Sequence, residues 1–485
     1  MDDFIKRIGA LPPEKRALLL QRLPPLSFSQ QRLWELERRD GAFYAVALPV
    51  RLSGALDQEA LTRSLSEVAR RHEVLRAVFP VIDGRPMQVS LPAKPISVPV
   101  MDLRGRAVEE QEAETQRLFG TIIHERFDLE RGPLWRVLLL RIDEEEHIVL
   151  LAAHHLIFDG LSTGVLLREV GQCYEAHRQG RDHQLPALPI QYGDYARWQR
   201  QQLNGESLKP HVDYWRAQLS GMAPLLELPA DHTRPAKTVS NAASVQLQCD
   251  ADASVSLKRL CAREGVSLFM VGITAFVAML HARAGADDMV IGIPIAGRNL
   301  AGTEALIGGF VNILLLRLRL TGETTVGALL NQVRQTTLEA YEHQELPFAK
   351  LLEELYPGEE YINYGVRGRP PLFRVAFDFK SVSADTSFDL SGLKVSFVEM
   401  GDQLTGTDLY VKLWEENQLV GGAFLYNCDL FNEDSAACMV DEYVYWLRQV
   451  ATRHDSRLAE LAQGVEVDAN GFNTLRKEST ILSEF

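Results

Sequence analysis

The chain of 485 residues is 46% hydrophobic and 24% charged, an ordinary globular composition, and it exceeds what one core usually holds, so two lobes are expected. Its formal net charge of −14 speaks against nucleic acid as a partner, because a phosphate backbone calls for a basic face. No window suits a membrane span, the charged amphipathic N-terminus lacks a signal-peptide core, and five scattered cysteines without a CxxC pair read as reduced thiols of a cytoplasmic protein.

In chain order, residues 1 to about 23 read as a helix pair broken at Pro12-Pro13 and ended by Pro24-Pro25. Ser29 is expected to cap a short helix carrying Leu33, Trp34 and Leu36. The alternating run Tyr44 to Leu52 reads as a strand, and Asp57 caps a helix whose buried stripe is Leu61, Leu65, Val68 and Ala69. Residues 89–99 are proline-rich and suit an edge strand or a connection. Glu109 to His124 suits a helix. Residues 127–155 read as two antiparallel strands joined at Asp143 to Glu146, the second delivering two adjacent histidines. A helix from Leu161 to about Gly180 turns Leu166, Leu167 and Val170 inward. The segment RQGRDHQLPALP then marks a linker, which places a first lobe at 1–180, a second at 181–463 and a mobile tail at 464–485.

The second lobe opens on residues 191–203, with Tyr195 and Trp198 on one helical face, followed by an extended loop bracketed by Pro229 and Pro235. Residues 267–283 are nearly all apolar and must form a buried helix. Residues 289–320 hold a strand, a Gly/Pro-rich loop ending in Arg298, and a second strand after Gly309. A hairpin is expected over 407–431 with its turn at Glu415 to Asn417, and a last helix over Ser435 to Arg448.

The chain is organised around residues 150–170, where an apolar strand delivers His154 and His155 into an Asp159-Gly160 turn ahead of a helix. Polar groups leaving a buried strand before a helix are placed where small molecules are commonly handled. Side chains alternate across a strand, so if the strand runs through both histidines only one faces a site and the other is packed inside. Gly160-Leu161-Ser162-Thr163-Gly164 also matches the nucleophile-elbow pattern between a strand and a helix. That makes a serine hydrolase or acyltransferase using Ser162 the rival reading. Against it, no HGGG-type segment precedes the motif, and Ser162 and Thr163 suit helix caps. A metal site is not expected, because adjacent histidines diverge and no HExxH or Cys/His cluster accompanies them.

The block HHLIFDG, residues 154–160, resembles without substitution the active-site signature of the condensation domains of nonribosomal peptide synthetases. Other segments resemble the family's blocks in order: LSFSQQRLW, RRHEVLRAVF, QYGDYARW, the stretch 289–320, EHQELPF, and GRPPLF. The last departs from the family's usual Arg-Asn-Pro-Leu-Phe, with Pro370 at the Asn position. The first segments resemble the group that takes an L-configured or simple acyl donor, a starter or hybrid-like subgroup.

The resemblance implies an α/β fold of two chloramphenicol-acetyltransferase-like lobes in a V, a pseudo-dimer with a central tunnel, and a segment within 368–400 crossing to complete the first lobe's sheet. It implies amide-bond formation between a donor thioester and an acceptor amine, each on the phosphopantetheine arm of a carrier protein, with no permanently bound cofactor. A fatty or aryl donor, or a hydroxyl acceptor giving an ester, are variants that the sequence does not separate. His155 is expected to act on the attacking amine, with His154 beside it and the Gly160 amide helping to bind the oxyanion. Asp159 is expected to form an ion pair with Arg298 that ties the histidine loop to the second lobe. Expected partners are donor and acceptor carriers and other synthetase domains, the chain itself acting as a monomer.

Overall fold

The computed structural model describes residues 12–40, 45–203, 205–223, 225–234, 240–356, 372–380, 390, 392–398, 403–467 and 473–475. Two sheets, each with its own apolar core, organise the chain. The first half contributes helices α1 (Pro13–Arg22), α2 (Phe28–Asp40), α3 (Gln58–Arg71), α4 (Val108–His124) and α5 (Gly160–Arg178). Its strands are β1 (Ala45–Ser53), β2 (Val100–Asp102), β3 (Trp135–Arg141) and β4 (Glu146–His154). The local reasons are those written in the sequence. Asp57 caps α3 by accepting from the Ala60 N–H at 2.9 Å, and Leu61, Leu65, Val68 and Ala69 are buried along its inner stripe. The cap of α2 is Ser27 and not Ser29. Ser27 and Gln30 exchange side-chain-to-amide hydrogen bonds of 3.1 and 3.0 Å, a reciprocal S-x-x-Q box that starts the helix at Phe28.

The second half contributes α6 (Tyr192–Gln202), α7 (Lys209–Leu219), α8 (Ala251–Glu264), α9 (Leu268–Ala284), α10 (Val326–Glu342), α11 (Phe348–Leu355) and α12 (Glu433–Thr452). Its strands are β5 (Ser240–Gln248), β6 (Asp288–Ile295), β7 (Asn312–Arg319), β8 (Val375–Lys380), β9 (Lys394–Phe397), β10 (Gln403–Thr405), β11 (Leu409–Glu416) and β12 (Leu419–Asn427). Helix α9 is capped by Ser267 and buried almost throughout, as its all-round apolar pattern requires. The β11–β12 turn falls at Asn417 and Gln418, both at positive φ, one residue beyond the expected turn.

The first sheet runs β9-β1-β4-β3-β2 and the second β7-β6-β8-β11-β12-β5-β10. Strand β9, from the second half of the chain, pairs antiparallel with β1 from Val50↔Phe397 to Ser53↔Lys394. The traffic between halves goes further than one strand. Tyr192 and Tyr195 of α6, with Leu306, Ile307 and Phe310 of the β6–β7 loop, pack into the first core, whereas Phe28 of α2 packs into the second. Helix α6 therefore joins the first core although it follows the linker near residue 180, because its two tyrosines close that core's edge. The residues from Gly464 onward, expected as a mobile tail, include an antiparallel ribbon of β13 (Val465–Val467) and β14 (Asn473–Leu475). Among the described residues no single helix is long and apolar enough to cross a membrane.

Candidate active site

Strand β4 ends at His154, and the chain then turns through residues 155–157 and enters α5 at Gly160. The two histidines part because the chain turns between them, not because a strand alternates through both. His154 is fully buried. Its Nδ1 accepts the Leu156 N–H at 3.0 Å, so its proton sits on Nε2, which donates to Glu37 Oε2 at 2.6 Å. A Gln30 amide, also buried, donates to the Leu156 carbonyl at 2.9 Å. Helix α2 thus grips the turn at two points seven residues apart, on one helical face. The sequence reading missed both Gln30 and Glu37. Gln30 carries a local signal, the S-x-x-Q box; Glu37 carries none, because its partner lies 117 residues away.

His155 lines a cavity of about 460 Å³ between the halves of the molecule. Burial pushes its pKa down to about 4, the neighbouring His154 adds to the shift, and Asp159 opposes it. The ring is therefore neutral at neutral pH.

Asp159 caps α5 and is fully buried. Its carboxylate accepts from the Ser162 N–H and hydroxyl, both at 2.8 Å, and from the Phe310 N–H at 3.0 Å. It also accepts two hydrogen bonds from the Arg298 guanidinium, at 2.8 and 3.1 Å. Arg298 lies over the Phe310 ring, 4.3 Å from its centroid, and donates to the Leu306 carbonyl at 3.1 Å. The ion pair between the histidine loop and the second half is thus a buried, bidentate one. Two glycines let the β6–β7 loop approach this closely. Gly297 sits at φ +62° with the Phe310 carbonyl 2.0 Å from where a Cβ would stand, and a Cβ on Gly309 would come within 2.5 Å of the His155 carbonyl. Tyr192 donates to the Gly309 carbonyl at 2.8 Å, and His72 Nδ1 accepts the Ile307 N–H at 3.3 Å.

Ser162 is no nucleophile. It is fully buried, donates to Asp159, and accepts from the Gly308 N–H at 3.0 Å and from Arg298 at 3.2 Å. The pattern of a nucleophile elbow serves here to bolt α5 to the β6–β7 loop, and the expected capping role belongs to Asp159. Gly160 is exposed at the first position of α5. Pro370 lies outside the described residues. Among the described residues no group of three or more His, Cys, Asp or Glu side chains is placed to hold a metal ion.

The model of the condensation-domain family matches residues 21–466. Malpinin synthetase of Mortierella alpina is 40% identical over 446 residues, 92% of this chain and 6% of that protein. Malpibaldin synthetase of the same organism is 38% identical over 431 residues, 88% of this chain and 8% of that protein. The chain thus spans less than a tenth of the length of these relatives. The crystal structure of the X-domain from teicoplanin biosynthesis superposes with a TM-score of 0.80 at 28% identity, over 90% of this chain and 97% of that one.

Proposed function

The chain belongs to the condensation-domain family, whose members form amide bonds in nonribosomal peptide synthesis, and from that premise we propose that it passes an acyl or aminoacyl group from a carrier-bound thioester to the amine of a second carrier-bound aminoacyl group. The observation that carries this reading is the opposite fate of two adjacent rings: His154 is bonded inside the fold while His155 opens onto the cavity.

The amine attacks the thioester carbonyl, the C–N bond forms, the C–S bond breaks, and the donor's phosphopantetheine arm leaves as a thiol. The amine's proton passes by way of the His155 imidazole to the departing sulfur. A ring whose pKa is pushed down to about 4 is too weak a base to deprotonate an ammonium ion, so the amine arrives neutral. His155 accepts its hydrogen bond, orients it, and takes the proton as the C–N bond forms. Holding two activated groups in line is worth about 7–11 kcal/mol of barrier, which explains why a thioester reaction needs few catalytic groups.

We assign Asp159 and Arg298 to holding the two halves in register around His155, and His154 to shaping the turn. The lobes follow the chain as 1–180 and 181–463, with α6, the β6–β7 loop and β9 reaching back to the first. Donor and acceptor carriers deliver their groups on phosphopantetheine arms, other synthetase domains adjoin, and the chain works as a monomer. Five scattered cysteines without a CxxC pair support a reducing, cytoplasmic setting.

The X-domain is known in complex with OxyB from teicoplanin biosynthesis, which favours a second reading as a docking module. The two readings part in one experiment: mass spectrometry of carrier-bound products after mixing the chain with loaded carriers, using amine and alcohol acceptors. Condensation predicts product from the wild type and none from His155→Ala, with both proteins folded. Carrier binding that persists while product formation ignores His155→Ala would establish docking instead.

A further inference from the structure

The floor of the cavity is a row across three adjacent strands. Gly292 of β6, Ala376 of β8 and Tyr410 of β11 are register partners, Gly292↔Ala376 and Ala376↔Tyr410, and all three line the cavity. The row is not flat. The Phe373 ring lies on Gly292, 2.4 Å from where a Cβ would stand, so an aromatic ring rises on that side. Tyr410 lines the cavity on the other side. Ala376 presents only a methyl group between them and is the low point of the floor. Phe348 closes the recess from α11, edge-on to Phe373 with centroids 6.0 Å apart.

Four polar side chains of this wall, Tyr410, Asn312, Gln199 and Asp159, direct hydrogen bonds to the protein, while Ser29, Asn299, Gln344 and Thr407 also line it. The Tyr410 hydroxyl donates to Asp378 at 3.2 Å. The Asn312 amide donates to the Gln344 and Leu346 carbonyls and its oxygen accepts the Phe348 N–H. The Gln199 amide donates to Tyr195 and its oxygen accepts the Phe28 N–H. Asp159 is engaged by Arg298 and Ser162. What these groups show an occupant is carbon. Over these four groups a polar side chain loses water and gains few partners, whereas an apolar one is favoured simply by leaving water. The wall's remaining charged groups are Arg32, which lies 5.7 Å over the Phe348 ring, and Glu345.

We propose that the recess over Ala376, between Phe373 and Tyr410, receives a bulky uncharged side chain, aromatic or branched aliphatic, of an aminoacyl substrate, and that Ala376 sets its size. This rests on the condensation reading, and it names the substrate class. Filling the recess is the direct perturbation: Ala376→Val raises the floor by two methyl groups, and Ala376→Phe levels it with its neighbours.

The test measures binding without turnover. Trp198 lines the same cavity, so the chain's intrinsic fluorescence reports occupancy. Stable pantetheine amides of phenylalanine, leucine, glycine, aspartate and lysine are titrated into wild type, Ala376→Val and Ala376→Phe. Thermal melts of each variant run alongside, and the valine variant carries the test if the phenylalanine variant does not fold. Wild type is expected to bind the phenylalanyl and leucyl probes at least tenfold tighter than the glycyl, aspartyl and lysyl ones. The phenylalanyl-to-glycyl ratio is expected to fall several-fold in Ala376→Val and to near one in Ala376→Phe. Equal or tighter binding of a charged probe overturns the proposal, as does a ratio unchanged in the folded variants. A wild-type chain that binds in this order but makes no product from loaded carriers overturns the condensation reading and leaves the recess standing.

Discussion

Replacing Asp159 by Ala should damage both stability and turnover, and the size of the damage follows from what the carboxylate holds. It accepts two hydrogen bonds from Arg298, two from Ser162 and one from the Phe310 amide, all in a fully buried position. Removing it leaves the Arg298 side chain, 7% exposed, as a buried cation held by the Leu306 carbonyl and the Ser162 hydroxyl. Breaking one partner of such a pair costs about 3–5 kcal/mol, which for a lobe of this size is on the order of 10 °C in Tm. Asp159→Asn keeps the shape and an acceptor oxygen and should lose less. The double variant Asp159→Ala, Arg298→Met removes the stranded charge and should recover part of the loss, giving a coupling energy of at least about 1 kcal/mol. The assay is thermal and chemical denaturation of wild type, Asp159→Ala, Arg298→Met and the double variant, beside product formation from loaded carriers. If Asp159→Ala melts within a degree of wild type, or the two substitutions add without coupling, the pair does not clasp the halves together.

Glu37→Ala should lower kcat about tenfold or more with little change in KM, because it frees the His154 ring that shapes the turn carrying His155; a charge-assisted hydrogen bond of this kind is worth about 1.5–3 kcal/mol. Glu37→Gln, which still accepts from Nε2–H, should restore most of the activity, and steady-state kinetics with loaded carriers decide it; equal activity in all three proteins would remove Glu37 from the positioning of His155. With the His155 pKa lowered from 6.5 to about 4, the acidic limb of kcat/KM should show no inflection near 6.5. It should instead follow the acceptor amine, near about 8 for an ordinary α-amine, and move with the amine's basicity across a series of acceptors. The same shift makes stability depend on pH in a stated direction. Between about pH 4 and 6.5 the unfolded chain holds a proton on residue 155 that the folded one does not, so stability should rise with pH across that window, by up to about 3 kcal/mol from this group. Denaturation at several pH values should show that part of the slope missing in His155→Ala.

Most of what recurs locally along the chain is legible in the sequence. The stripe of Leu61, Leu65 and Val68, the apolar run of α9 and the strand-turn-helix around HHLIFDG each carry their own periodicity, cap or turn residue, and a hydrogen bond spanning three or four residues leaves a mark in the sequence. Where two local signals compete, sequence reasoning goes astray by a small step. Ser29 competes with Ser27 for the cap of α2 although Ser27-x-x-Gln30 spells the capping box, and Ser162 in its G-x-S-x-G setting looks like a possible nucleophile although Asp159 stands three residues before it to bond it. Tertiary structure alone decided the rest. Glu37 reaches His154 across 117 residues, Phe310 reaches Asp159 across 151, and Ile307 reaches His72 across 235. The same holds for the recess over Ala376, which exists because strands β6, β8 and β11 lie side by side in one register. Helix α6 and the β6–β7 loop lie past the linker in chain order and within the first core in space. Periodicity and caps are set by neighbours along the chain and so can be read from it; which distant polar group satisfies which buried one depends on how whole lobes pack, and no short stretch of sequence contains that.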